Sequence, residues 1–272
     1  MRAFALIFSC LLVACGADKI EDTATRRVVS TSLCGDGYVL SMLSEDNISA
    51  LSWQSGDKLS TAPARFKHKP KARDDIETLL ALNPTLVVFG PGEGTAAKPL
   101  LDKRGINYVN LDWGEDFENV WKNYALLRGA LNAPDVHEQQ AQIDFFTLQN
   151  AADAKTNKPN VLYLSASGGT AGPGTYVDAS IRAAGGVNII TTPGWHTPSI
   201  ESLVALKPDL IVTSFFKDGY ASVNQAGLRN KVLQDKINAI PRVNVPGKLW
   251  PCAGPGLYEA THIIKTAIEE LN

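Results

Sequence analysis

Several things that would announce a function are scarce in this chain of 272 residues. Net charge is almost absent: 26 Lys and Arg face 28 Asp and Glu, a formal balance of −2. That excludes the basic footprint of a dedicated nucleic-acid binder. Cysteine is rare, four in all and none in CxxC spacing, which excludes a disulfide-built scaffold and a zinc ribbon. No apolar run approaches the roughly 20 residues of a spanning helix. Catalytic signatures are missing as well: there is no GxSxG elbow and no HExxH pair. Two glycine-rich stretches, Gly90–Thr95 and Gly168–Gly174, follow strand-like runs. The first lacks the Lys-Ser/Thr ending of a P-loop, and the second lacks the third glycine of a dinucleotide fingerprint. His137 and His262 sit in helical stretches and read as surface or packing residues. What remains is ordinary globular composition, 44% hydrophobic and 20% charged, in a length that suits one large domain or two of roughly 100–150 residues.

The N-terminus is the first positive feature. One arginine, Arg2, precedes the apolar stretch Ala3–Ala14, and the sequence then turns abruptly polar at Asp18-Lys-Ile-Glu-Asp22. These are the proportions of a secretory signal spanning residues 1–14. Leu12-Val-Ala-Cys15 resembles the lipobox of bacterial lipoproteins, which makes Cys15 the expected lipidated first residue of an exported protein. Residues 15–27 then read as a polar tether. With Cys10 removed and Cys15 acylated, two thiols remain, Cys34 and Cys252, in a compartment where disulfides persist.

An internal repeat organises the rest. Asp75–Val88 aligns without gaps on Ser199–Val212, with eight of fourteen positions identical, among them Glu77/Glu201, Leu79/Leu203 and Pro84/Pro208. Each copy opens on an N-cap oxygen followed by an acid beside the positive end of a helix. Leucines follow at helical spacing, a proline stops the helix, and a short apolar run reads as a buried parallel strand. Around these copies, further strands are expected at Val28–Leu33, Ile48–Trp53, Tyr108–Leu111, Val161–Leu164 and Val243–Val245. Helices are expected at Tyr38–Leu43, Val177–Ala184 and Tyr258–Leu271, with a Gly35-Asp36-Gly37 turn before the first. Alternating strands and helices predict an α/β protein with two Rossmann-like lobes and parallel sheets, residues 28–114 and 158–272. Residues 115–157 form the bridging helical segment, two stretches with a joint at Asn132-Ala-Pro134, and read as a stiff strut.

Large rings cluster where loops leave strands: Trp53, Phe66, Trp113, Tyr176, Trp195, Phe215, Phe216 and Trp250. Aromatic loops at a cleft mouth suit a bulky, flat or hydrophobic ligand, although packing claims rings just as readily. The run Arg65–Arg73 carries five positive charges just before Asp75, either as a solvated loop or as an attractor for an anionic ligand.

The ordered set of Val28–Leu33, the paired Ile-Glu-x-Leu-x-Ala-Leu-x-Pro stretches, Asp178–Gly186 running into Val187-Asn188, and Trp250 with Pro255-Gly256 resembles the cobalamin/ferric-siderophore class (class III, helical-backbone) of periplasmic substrate-binding proteins. The resemblance covers nearly all of residues 26–272. It implies two lobes joined by a long bridging helix, limited closure, and a metal chelate or corrinoid held between the lobes. The carrier would be a monomer of the cell envelope, without cofactor or catalytic residues, delivering its cargo to the dimeric permease of an ABC importer and touching the membrane through its lipid only. Glu77 and Glu201 match the positions where such proteins dock on the permease. The cleft residues implied are Cys34, Asp36, Tyr38, Trp53, Phe66, His68, Trp113, Tyr176, Trp195, His196, Phe215 and Trp250. The turn Leu33-Cys34-Gly35-Asp36-Gly37 departs from the Ser/Thr-rich turn of many relatives, and Cys252 stands in a second loop that borders the cleft. Three readings of this cysteine pair stay open: an inter-lobe disulfide, two free thiols, or a thiolate metal site with His68 or His196. A metal-ion carrier and an envelope lipoprotein enzyme are the alternative functions.

Overall fold

A computed structural model describes residues 26–154, 156–214 and 231–271; the signal, Cys15, Phe215 and Phe216 lie outside the described residues. The first half builds β1 (Val28–Ser30), α1 (Leu33–Met42), β2 (Ile48–Ser52), β3 (Lys71–Ala72), α2 (Ile76–Ala81), β4 (Leu86–Phe89), α3 (Lys98–Lys103) and β5 (Asn107–Asn110). Its strands form one parallel sheet in the order β3-β2-β1-β4-β5. Two helices follow, α4 (Phe117–Leu131) and α5 (Val136–Asp153). The second half contributes β6 (Asn160–Ser165), β7 (Thr170–Ala171), α6 (Tyr176–Ala183), β8 (Val187–Asn188), β9 (Trp195–His196), α7 (Ile200–Ala205), β10 (Leu210–Ser214), α8 (Lys231–Ala239), β11 (Arg242–Val245) and α9 (Gly256–Glu269). A second parallel sheet runs β11-β10-β6-β8, and β7 pairs antiparallel with β9.

The repeat explains the symmetry of the lobes. The Asp75 carboxylate accepts the Thr78 amide at 2.8 Å, and the Ser199 hydroxyl accepts the Ser202 amide at 3.2 Å, so both copies start α2 and α7 by the same capping device. The strands that follow, β4 and β10, each have a neighbour on both sides. All four residues of β4 are buried, as a strand covered on both faces requires.

One local expectation is corrected. Gly35-Asp36-Gly37 is not a turn before a helix; it lies inside the first turns of α1, which begins at Leu33. Ser32 supplies the cap by accepting the Gly35 amide at 3.1 Å. Glycine is needed at position 35 because a Cβ there would stand 2.5 Å from the Ser30 hydroxyl, so the helix can press onto β1.

The bridge is two helices that fold back on each other. Asn132 closes α4 in the left-handed conformation, with φ 48°, and α5 then returns antiparallel to α4. Phe117 meets Phe145 with ring centroids 4.9 Å apart, and Trp121 meets the same ring at 5.3 Å. On its inner face α4 buries Val120, Tyr124, Leu127 and Leu131 against the first lobe, Tyr124 packing edge-on to Tyr38 at 5.0 Å. The same helix reaches the second lobe, where the Trp121 indole donates to the Tyr258 hydroxyl at 2.7 Å. One hydrophobic core therefore runs from Val28 and Val88 through α4 to Val161, Val212 and Ile264. Each large apolar side chain buried there contributes about 1.5–3 kcal/mol, so the two lobes share their stability rather than meeting at a loose hinge. Two smaller clusters back the outer faces of the sheets, around Val87 and Leu101 in one lobe and Leu162 and Leu203 in the other.

Candidate functional site between the lobes

In an open parallel sheet, ligands bind beyond the carboxyl ends of the strands. Here the two carboxyl edges face each other. The start of α1, just after β1, is joined to the loop after β11 by a disulfide between Cys34 and Cys252, whose Cα atoms are 5.6 Å apart across 218 residues of sequence. Of the three readings open for these cysteines, the structure contains the disulfide, so neither sulfur is present as a thiolate ligand.

Exposed rings gather on this edge. Trp113 follows β5 in the first lobe and is 60% exposed; Trp195 stands on β9 in the second and is 46% exposed. Half-buried Tyr176, at the first turn of α6, lies against Trp195 with centroids 4.9 Å apart. Together with Tyr163, Ser165, Ser167 and Gly169, these C-lobe rings line a cavity of about 250 Å³ at the end of β6. Burial, and then the Glu115 carboxylate, push the Tyr176 phenol well above the ordinary tyrosine range, and burial does the same for Tyr163. Both are neutral hydroxyls near pH 7. The cavity therefore offers aromatic faces and hydroxyls, with little fixed charge of its own.

The other expected cleft residues divide into several groups. Trp53 is at the carboxyl end of β2, 45% exposed, with the Arg73 guanidinium 4.1 Å over its ring, so the basic run does reach the cleft edge of the sheet. His196 is half-buried on β9 and hydrogen-bonds through Nε2 to the Thr192 carbonyl at 2.8 Å. Four readings are corrected by burial. Asp36 is fully enclosed and accepts the Ser52 amide at 2.9 Å and the Ser52 hydroxyl at 2.6 Å, fastening α1 to the end of β2. Desolvation raises its pKa from the ordinary carboxylate value to about 6. Tyr38 and Phe66 belong to the core. Trp250 is buried too, donating to the Ser214 hydroxyl at 2.9 Å and stacking under Tyr176 at 5.7 Å, so it supports the ring that faces the cleft. His68 is corrected by position: it is exposed beside Glu45, before β3, at the opposite edge of the parallel sheet from the cleft.

Four side chains escaped the sequence reading. Glu93 closes the loop after β4 by accepting the Thr31 hydroxyl at 2.5 Å and the Gly90 amide at 2.9 Å. Ser165 and Ser167 pair their hydroxyls at 2.9 Å on the cavity wall. Glu115, between Trp113 and α4, accepts hydrogen bonds from both lobes. The only signal for it in the sequence is a carboxylate two residues after an aromatic ring at a loop exit. A larger groove of about 880 Å³ runs along the flank between the α4–α5 pair and α6, and includes Phe117, Trp121 and Phe145. It lies beside the second lobe, not between the facing strand ends.

Glu77 and Glu201 are both exposed in the first turns of α2 and α7, and the Glu201 carboxyl is held below its usual range chiefly by its own backbone amide and by Ser199. A helix that follows a parallel strand starts at that strand's carboxyl edge. Glu77 accordingly stands on the cleft side of the first lobe.

Comparison with known proteins follows the same lines. A cobalamin-binding protein of Halobacterium salinarum is 25% identical over 211 residues, 72% of this chain but 56% of that protein, so the chain spans little more than half the length of its curated relative. Among solved structures, a periplasmic heme-binding protein from Roseiflexus sp. RS-1 in apo form superposes with a TM-score of 0.69 at 22% identity, covering 91% of this chain and 99% of that one. A periplasmic heme-binding protein from Pseudomonas aeruginosa gives 0.68 at 22% identity, with 89% and 92% covered. The periplasmic vitamin B12 binding protein of Vibrio cholerae gives 0.64 at 17% identity, with 90% and 97% covered. These likenesses establish a shared two-lobed fold. The periplasmic binding protein family matches residues 37–214, well over half of the chain, and the chain belongs to that family.

Proposed function

We propose that this protein captures a flat metal chelate, an iron chelate or a corrinoid, between its lobes and delivers it to the permease of an ABC importer. The observation that carries this reading is the pair of exposed indoles, Trp113 and Trp195, contributed by opposite lobes at the facing strand ends. Large rings on both sides of a cleft suit a wide, apolar ring system better than a small polar solute. The names of the relatives, cobalamin-binding and heme-binding, support the same class of cargo. Among the described residues no three His, Cys, Asp or Glu side chains come together as a metal site, which favours a ligand that brings its own donors over a bare ion.

The same reading makes Glu77 and Glu201 the permease-docking carboxylates, one per lobe, and Cys15 the lipid attachment that holds a monomer in the cell envelope. Among the described residues no helix is long and apolar enough to cross a membrane. Two or more acyl chains on Cys15 would hold the protein firmly, since each buried methylene contributes about 0.8 kcal/mol.

The test is direct. Mature protein is titrated with hemin, cyanocobalamin and free ferric or zinc ions, following tryptophan fluorescence and native mass. The expected result is one bound chelate whose affinity falls more than tenfold in Trp195→Ala. Binding of a bare ion with neither chelate would overturn the proposal in favour of a metal-ion carrier.

A further inference from the structure

Glu115 occupies an unusual position. It lies in the segment 111–116 that leaves the first lobe, yet most of its partners are in the second. Its Oε1 accepts the indole N–H of Trp113 at 3.3 Å and, at the long limit of a hydrogen bond, the indole N–H of Trp195 at 3.5 Å. Its Oε2 accepts the backbone amide of Tyr176 at 3.2 Å. That amide belongs to the first turn of α6, where the Thr175 hydroxyl already caps the Asp178 amide, so the carboxylate answers a donor that the helix itself leaves open. A negative charge at this end of α6 is also favoured by the helix dipole.

We infer that Glu115 is a positioning residue, a latch across the cleft that fixes the two exposed indoles relative to each other. The argument is geometric. One oxygen is the common acceptor of two tryptophans from opposite lobes, so both rings turn their N–H edges toward a single point while each keeps exposed surface. Ordering two such rings in advance lowers the entropy lost when a ligand lies against them. The other oxygen ties the same side chain to the helix carrying Tyr176, which touches Trp195. No other described side chain accepts from both indoles. This inference deepens the proposed function and rests on it for the identity of the ligand, but the latch itself is a property of the ligand-free protein.

The experiment uses full-length mature protein and has two arms. In the first, time-resolved fluorescence anisotropy without ligand measures the freedom of the indoles in wild type, Glu115→Ala, Glu115→Gln and Trp113→Phe/Trp195→Phe. Glu115→Ala is expected to increase the amplitude of rapid ring motion, Glu115→Gln to restore part of it through its remaining acceptor oxygen, and Glu115→Ala to change nothing further once both tryptophans are phenylalanine. Unchanged ring motion in Glu115→Ala overturns the latch. In the second arm, affinity for hemin or cyanocobalamin is expected to fall about tenfold in Glu115→Ala, with no added loss in the double-phenylalanine background. Full additivity of those losses would also overturn it. If wild type binds neither chelate, the proposed cargo fails while the anisotropy arm still decides the latch.

Discussion

At the scale of single residues, Asp36 shows how a side chain adjoining a binding loop can be wholly structural. It is buried, holds Ser52 through two hydrogen bonds, and has a pKa raised to about 6 because desolvation outweighs those bonds. A carboxyl raised above its unfolded value of about 3.9 binds more protons in the native state than in the unfolded one. Its stabilising contribution is therefore full below pH 4 and is lost as pH rises through 6, by about 3 kcal/mol at most. Asp36→Asn is expected to remove that part of the pH dependence. The difference in urea-unfolding free energy between mutant and wild type should move in the mutant's favour from pH 4 to pH 7, and a constant difference would refute the assignment. Tyr38, Phe66 and Trp250 taught the same lesson at neutral side chains. Sequence places a ring beside a cleft, but whether it turns inward depends on partners far along the chain, such as Tyr124 for Tyr38 and Ser214 for Trp250. Glu115 was illegible for the converse reason: its role exists only where Trp113, Tyr176 and Trp195 converge.

Among the elements, what was legible was whatever is encoded locally. The two capped helices with their prolines and buried strands could be read because capping, helical spacing and strand burial all act within a dozen residues. The joint at Asn132–Asp135 was marked by its proline, but the antiparallel return of α5 depends on rings at Phe117, Trp121 and Phe145 finding one another. The antiparallel β7–β9 pair, which carries Trp195, was not foreseen, since each strand is only two residues long and α6 and β8 lie between them in the chain. Its integrity depends on Gly172, whose amide donates to the Gly194 carbonyl at 2.9 Å and where a Cβ would fall 1.8 Å from the Thr192 carbonyl oxygen. Gly172→Ala is thus expected to cost roughly 1–3 kcal/mol and to displace Trp195, seen as a lower melting temperature together with weakened chelate binding. Retained stability and retained affinity together would contradict that dependence. For α2 and α7, the double reversal Glu77→Lys/Glu201→Lys is expected to abolish uptake by whole cells. Affinity in solution should stay at the wild-type level, and a fall there would place the glutamates in ligand binding instead.

For the molecule as a whole, the shared core and the Cys34–Cys252 bond make the two lobes one cooperative body. A bond that closes so long a loop restricts the unfolded chain strongly, and removing it typically costs about 2–5 kcal/mol. Cys34→Ser/Cys252→Ser is expected to lower the urea-unfolding free energy by that order, and unfolding should remain a single transition because α4 still joins the lobes. Two separated transitions would show that the covalent link, not the core, couples them. The bond also gives the chain a closed topology. Everything from residue 34 to residue 252 is a closed ring, from which the chain before residue 34 and a short tail containing α9 lead away. A protease that cuts once inside the ring opens it without dividing the protein. Such nicked material should run as one species without reductant and as two with it, each fragment carrying one half of the severed ring.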